Sequence, residues 1–148
     1  MKPSLQDWLK NGWVKAHQTS RQEIADLFAV ADRDLAACQT PGLINDWRFN
    51  IAYNAALQLA SAALAASGYQ AERANHHYRV LHSLEFTLGA DPATIRKLDV
   101  FRKKRNITDY ERAGTISDIE AGEMLDLAEE LRLQVYEWIV KYHPGFKP

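Results

Sequence analysis

Cysteine is almost absent from these 148 residues, and no apolar run is long enough to cross a bilayer. The single thiol, Cys38, cannot form an intramolecular disulfide, and no cysteine or histidine pair has zinc-site spacing. The longest weakly polar stretch, residues 55–67, is mostly alanine. The first residues include Asp7 and Lys10, which a signal peptide would not carry in its apolar segment. These absences predict a cytoplasmic protein with no membrane association and no metal site.

A large excess of charge is also lacking, because 18 lysines and arginines face 19 acidic residues and the net charge is −1. The chain as a whole therefore has no field that attracts nucleic acid or membrane, and such binding needs a local patch. No P-loop, dinucleotide fingerprint or nucleophile elbow is present, so we expect no cofactor. The apolar fraction of 47% is ordinary, and the length fits one domain over residues 1–148.

Helix boundaries are clearly marked in the sequence. Ser20 and Ser117 each begin a Ser-x-x-Glu capping box, and Asp91-Pro92 places an N-cap before a first-turn proline. Between these signals, apolar residues recur at helical spacing, and no strand-like alternation competes. The helices predicted in this way span about 5–10, Ser20 to Pro41, 44–67, 75–88, Asp91 into a basic run, and Ser117 to before Pro144. The short connections favour an all-α, antiparallel up-and-down bundle of four to five helices.

Charge is segregated along the second half of the chain. Six cations stand within ten residues: Arg96, Lys97, Arg102, Lys103, Lys104 and Arg105. An acidic segment follows, with six carboxylates between residues 118 and 130 and no lysine or arginine among them. Two interpretations remain open at this point. The two helices attract each other or are simply solvated, or the basic run is a platform for phosphates.

The basic run continues a core face. Leu98, Phe101 and Arg105 follow one another at steps of three and four, and Asp109 comes four residues later. An arginine and an aspartate would then lie near the inner surface of the bundle, where an unpaired charge is costly. We expect them to pair with each other or with a partner helix. Such a pair can be purely structural, or it can form a polar pocket that binds phosphate.

The order of these segments resembles the HEPN superfamily of prokaryotic helical domains. The resemblance covers about residues 20–140 and rests on four features: Ala52-Tyr53-Asn54-Ala55 in an alanine-rich helix, a break at Gly68, Asn75-His76-His77 on the next helix, and Arg105-Asn106 before a final amphipathic helix. It implies a bundle of four or five helices that forms a homodimer. In catalytic members, an arginine and a histidine of two subunits meet at the dimer groove and cleave RNA without a metal.

The match to the catalytic motif is partial. Arg105 and Asn106 fit its start, but Asp109 and Tyr110 stand where the family places a histidine. The chain looks closer to a branch with arginine, three residues and Asp-Tyr, in which a histidine on the preceding helix, here His77, takes that place. An aspartate can act as a base but supplies no cation. The resemblance therefore leaves metal-independent ribonuclease activity open.

Two functional hypotheses follow from the resemblance. The first is a HEPN-like protein that acts on or binds RNA or nucleotides, within a toxin–antitoxin or defence pair. Its site would comprise Arg105, Asp109, Asn106 and His77, with Arg102, Lys103 and Lys104 attracting the RNA. The alternative is a non-catalytic module that binds a protein partner such as a nucleotidyltransferase. Because partners in some pairs modify a tyrosine near the motif, Tyr110 is a candidate modification site.

Overall fold

The computed structural model describes residues 4–110 and 116–148, except for the side chains of residues 107–110. The helices are α1 (Leu5–Lys10), α2 (Arg21–Ala37), α3 (Asn45–Ala66), α4 (His76–His82), α5 (Leu84–Thr87), α6 (Pro92–Tyr110) and α7 (Asp118–Tyr142). Two strands, β1 (Val14–Ala16) and β2 (Tyr69–Ala71), and a 3-10 turn at Pro144–Phe146 complete the described elements. The predicted all-α class is confirmed, because helix accounts for most of the chain.

The helix caps follow the sequence signals with one exception. At the start of α7, Ser117 and Glu120 form both hydrogen bonds of a capping box, each 3.1 Å long. Before α6, Asp91 Oδ1 accepts from the backbone N–H of Thr94 at 2.9 Å. At α2, Ser20 Oγ accepts from the Glu23 N–H, but the Glu23 carboxylate does not reach back to Ser20. That half of the predicted capping box is wrong, because the carboxylate binds other partners.

Two further predictions are corrected by the fold. No strand was expected, yet β1 and β2 pair antiparallel, with Val14 opposite Ala71. Each strand has three residues, too few for an alternating pattern to stand out in the sequence. The helix expected over residues 75–88 is divided into α4 and α5 at Ser83. The buried Ser83 hydroxyl donates to the Val80 carbonyl at 2.6 Å, and such local bonds compete with regular helix.

Helix α3 lies at the centre of the core and is buried on nearly every side. Most of its buried side chains are alanines, which let α2 and α7 approach its backbone closely. The buried residues of all the long helices belong to one continuous apolar cluster. Although α3 is the longest weakly polar helix, none of the described helices combines the length and apolar character needed to cross a bilayer.

Side-chain contacts show in which direction the helices around α3 run. Asn45 Nδ2 donates to Asp118 Oδ1 at 2.8 Å, which joins the first turns of α3 and α7. These two helices therefore run in the same direction. Arg21 Nε donates to the Lys147 carbonyl at 2.9 Å, which places the start of α2 beside the chain segment after α7. Consequently α2 and α7 are antiparallel.

Candidate functional site

A buried tyrosine on α3 brings together two of the residues predicted from the sequence. Tyr53 is 1% exposed, and its hydroxyl lies 3.2 Å from Nδ1 of His77 on α4. The guanidinium carbon of Arg105, on α6, lies 5.4 Å from the centre of the Tyr53 ring. We call Tyr53, His77 and Arg105 the Tyr53 cluster. Three helices therefore converge on one polar site at the edge of the apolar core.

Burial sets the protonation states in the Tyr53 cluster. It lowers the pKa of His77, and the positive charge of Arg105 lowers it further. Burial also raises the pKa of Tyr53 to about 12, against the opposing effect of Arg105. At neutral pH the imidazole is uncharged and the phenol keeps its proton. Two tautomers fit this contact. When Nδ1–H donates to the Tyr53 oxygen, Nε2 keeps a free lone pair and can accept a proton; when the Tyr53 hydroxyl donates to Nδ1, Nε2 carries the hydrogen and can donate to a ligand.

Arg105 lies where the periodicity of α6 predicts. Leu98 and Phe101 are buried on the same face, and the Phe101 ring packs edge-on against Phe49 at 5.5 Å. Arg105 is partly buried, and its Nε atom is fully covered. Among its predicted companions, Asn106 is exposed. The side chains of Asp109 and Tyr110 lie outside the described residues, so their predicted roles stay predictions.

Two of the cations predicted to bind RNA contact an aspartate of their own helix. Asp99 Oδ1 accepts from Arg102 Nε at 3.0 Å, and Asp99 Oδ2 lies 3.3 Å from Lys103 Nζ. His82 also reaches Asp99, at 3.4 Å. Burial alone would raise the pKa of Asp99, but the hydrogen bonds from Arg102 and His82 outweigh burial and lower it. Asp99 therefore offsets part of the positive charge of the basic run.

Other cations of α6 contact the acidic helix α7. Lys104 forms an ion pair with Glu120, and this hydrogen bond lowers the pKa of Glu120. Lys97 Nζ lies 3.7 Å from Glu123, whereas Arg96 is exposed. Since Lys104 meets an earlier turn of α7 than Lys97 does, α6 and α7 are antiparallel. The sequence left open whether the basic run is attracted to the acidic helix or binds phosphate. Lys97 and Lys104 contact the acidic helix α7.

Sequence reasoning missed Tyr53 as a site residue. It belongs to the Ala52-Tyr53-Asn54-Ala55 segment, and the signal available was a phenol on a face made mainly of alanines. A buried tyrosine usually finds a hydrogen-bond partner for its hydroxyl, so a polar contact was foreseeable. The identity of that partner was not, because it depends on how α4 docks against α3.

The described residues contain no group of three or more histidine, cysteine or acidic side chains placed to hold a metal ion. The single thiol is also unreactive at neutral pH, because burial raises the pKa of Cys38 to about 11. No family model and no curated protein matches this chain.

A second feature lies where the first turns of α3 and α7 meet. Three large apolar side chains are more than half exposed there: Ile44, Trp47 and Ile119. The bond between Asn45 and Asp118 holds these turns together. We call Ile44, Trp47 and Ile119 the end patch. Large exposed apolar residues at one end of a molecule are candidates for an interaction surface.

Proposed function

We propose that this chain is a HEPN-like protein that binds RNA or nucleotides through the Tyr53 cluster. One observation carries the proposal: Arg105 and His77, from different helices, approach the same buried tyrosine. A guanidinium is well suited to phosphate because its planar donors match two phosphate oxygens. An uncharged imidazole beside it can accept or donate a proton at neutral pH. Binding of phosphate by Arg105 and proton exchange by His77 therefore fit one site.

Metal-independent cleavage of RNA is the reaction this arrangement supports. With Nδ1–H donated to the Tyr53 oxygen, Nε2 of His77 would remove the proton from a ribose 2′-hydroxyl. The 2′-oxygen then attacks the adjacent phosphorus and displaces the 5′-oxygen of the next nucleotide, which takes a proton from water and leaves as a hydroxyl. Arg105 would stabilise the negative charge that develops on the phosphate oxygens. The lowered pKa of His77 keeps it in the basic form that the first step needs. Without the cleavage step, the same residues form a phosphate-binding site.

We further propose that the protein works as a cytoplasmic homodimer in a toxin–antitoxin or defence pair. A second copy would place two Tyr53 clusters beside one RNA strand. The exposed cation Arg96 would then add only a general attraction, whereas Arg105 would contact the phosphate directly. This difference allows a matched comparison between two arginines of the same helix.

The test measures both binding and cleavage. A fluorescent single-stranded RNA is titrated with the wild type, Arg105→Ala, His77→Gln and Arg96→Ala, in the presence of EDTA. We expect Arg105→Ala to weaken binding and abolish cleavage, because the phosphate loses its direct donor. His77→Gln should retain binding and lose roughly 10²- to 10⁴-fold in cleavage rate, as expected for removal of a general base. Arg96→Ala should match the wild type closely.

Equal weakening by Arg96→Ala and Arg105→Ala would show that binding is general electrostatic attraction. A wild-type protein that neither binds nor cleaves RNA would end the proposal. Binding without cleavage, lost only in Arg105→Ala, would retain the phosphate site and remove the enzymatic role. Thermal unfolding of each variant shows whether an inactive protein is still folded.

A second candidate is a non-catalytic module that binds a protein partner such as a nucleotidyltransferase, and the end patch favours it. Coexpression with a nucleotidyltransferase encoded beside the gene for this chain, followed by size-exclusion chromatography, tests this idea. Trp47→Ser should abolish the complex, because an exposed indole is a typical interface anchor. Tyr142→Ser, which alters an exposed ring at the other end of α7, is the control. Survival of the complex in Trp47→Ser would reject the end patch as its interface.

A further inference from the structure

A cavity lies apart from the Tyr53 cluster, between α2, α3, α4 and strand β2. Its volume is about 220 Å³, and its inner wall includes Leu64 and Val80. His76 lines this cavity, whereas the next residue, His77, contacts Tyr53. The two imidazole centres are 6.1 Å apart, so α4 presents consecutive histidines to two different surroundings. None of the residues of the Tyr53 cluster lines the cavity.

Glu23, whose carboxylate was expected to cap α2, lines this cavity. The capping-box position of Glu23 predicts that its carboxylate accepts from the Ser20 backbone N–H, and that bond is not formed. Its Oε1 accepts from Thr19 Oγ1 at 2.7 Å and meets His17 Nε2, also at 2.7 Å. Burial would raise the pKa of Glu23, but the hydrogen bonds from His17 and Thr19 lower it overall. Glu23 is therefore ionised at neutral pH and fixed in position.

The charge around the cavity selects the type of ligand. Of the cavity-lining residues that the structure describes, Glu23 is the one carboxylate, and neither lysine nor arginine is among them. Two histidines, His17 and His76, also line the cavity, and the Nε2 atom of His17 is engaged by Glu23 Oε1 at 2.7 Å. An anion would be repelled by the Glu23 carboxylate. A group that carries N–H donors and a positive charge would pair with Glu23 in a partly desolvated setting.

The size and the walls define the rest of the ligand. Apolar cavities of roughly 150 Å³ hold a benzene-sized molecule, so about 220 Å³ accommodates one ring with a small substituent. The aliphatic side chains of Leu64 and Val80 would pack against that ring, and Tyr69 also lines the cavity. We propose that this cavity binds a small organic cation, an amine or amidine on a single apolar ring, with the cationic group on Glu23. The cavity shares no lining residue with the Tyr53 cluster, so this proposal does not depend on the proposed RNA function.

Three probes of matched size test the proposal: benzamidine, benzyl alcohol and benzoate. Their binding to the full chain is measured by isothermal titration calorimetry, and backbone amide NMR shifts locate the site. We expect benzamidine to bind at least about tenfold more tightly than benzyl alcohol, and benzoate not to bind up to about 10 mM. The shifted amides should lie at Ala65, Ala71 and Val80, which line the cavity.

Variants separate this site from adventitious surface binding. Glu23→Gln should weaken benzamidine at least about tenfold, since it removes the charge and keeps the shape. Asp26→Asn removes an exposed carboxylate from the same helix and should leave the affinity unchanged. Ser61→Leu, at a partly exposed lining position, should block all three probes by filling the cavity. Equal affinity for the three probes, no binding of benzamidine, or an unaffected Glu23→Gln variant would each overturn the proposal.

Discussion

Replacing Tyr53 by phenylalanine removes one hydroxyl from the Tyr53 cluster and leaves the buried ring in place. The lost bond to His77 is 3.2 Å long and joins two neutral groups, and His77 is only partly buried. We therefore expect water to compensate for part of the lost bond at Nδ1. A net hydrogen bond of this kind contributes about 0.5–1.5 kcal/mol, and we expect the lower half of that range. For a chain of this length, Tm should fall by roughly 1–4 °C.

Tyr53→Ala removes the ring as well, so the two variants together separate the contribution of the ring from that of the hydroxyl. The side chain is 1% exposed, so its loss leaves a cavity between α3 and the helices that carry His77 and Arg105. Truncation of a buried aromatic residue costs about 3–5 kcal/mol, which corresponds to a fall in Tm of roughly 6–20 °C. The alanine variant should therefore be several times more destabilised than the phenylalanine variant.

Circular dichroism during heating and urea unfolding at neutral pH measure both changes. Tyr142→Phe removes the hydroxyl of an exposed tyrosine and should leave Tm unchanged. The reasoning is refuted if Tyr53→Phe costs as much as Tyr53→Ala, because the hydroxyl and not the ring would then dominate. It is also refuted if Tyr53→Ala is neutral, since the tyrosine would not be packed as the structure shows.

Three other predictions concern acid, packing and assembly. Because the folded state lowers the pKa of His77 below 6.5, the unfolded chain binds protons more readily, and the free energy of unfolding should fall as pH drops below about 6.5. His77→Gln should flatten that dependence in urea titrations. Ala60→Leu should destabilise the fold by about 1–3 kcal/mol, since Ala60 is fully buried on α3. Sedimentation should give about twice 16.8 kDa if the proposed homodimer forms.

Each of these three predictions is contradicted by a specific result. An unchanged pH dependence in His77→Gln would mean that His77 does not titrate differently on folding. If Ala60→Leu left the free energy of unfolding unchanged, there would be room for a larger side chain beside α3, contrary to the burial of Ala60. Ala29→Leu, at an exposed position of α2, is the control. A clean monomer at all concentrations would reject the homodimer.

The helices could be predicted from the sequence because their signals are local. Apolar spacing, serine and aspartate caps and the glycine and proline breaks lie within the segments they define. The same periodicity placed Arg105 on the inner face of α6, beyond Leu98 and Phe101. One local signal was misleading, since Glu23 has capping-box spacing yet bonds His17 and Thr19. Spacing identifies a candidate bond, and competing partners decide whether it forms.

What could not be predicted depends on contacts between distant segments. The pairing of β1 with β2 joins three-residue strands on either side of α2 and α3, which leaves no periodic trace. The proximity of Tyr53 to His77 requires the docking of α4 on α3. The partners of the basic run were also undecided, because Lys104 could pair with Glu120 or with phosphate until the packing of α6 on α7 was known.

Helix α4 has seven residues, and its first two side chains, His76 and His77, belong to separate sites. Because the two histidines are consecutive on one short helix, a shift of α4 that repositions one imidazole would also displace the other. If a molecule in the cavity pulls α4 toward α2, the geometry around Tyr53 changes with it. Thermodynamic linkage then requires the effect to be reciprocal, so that occupancy of either site alters the affinity of the other by the same factor.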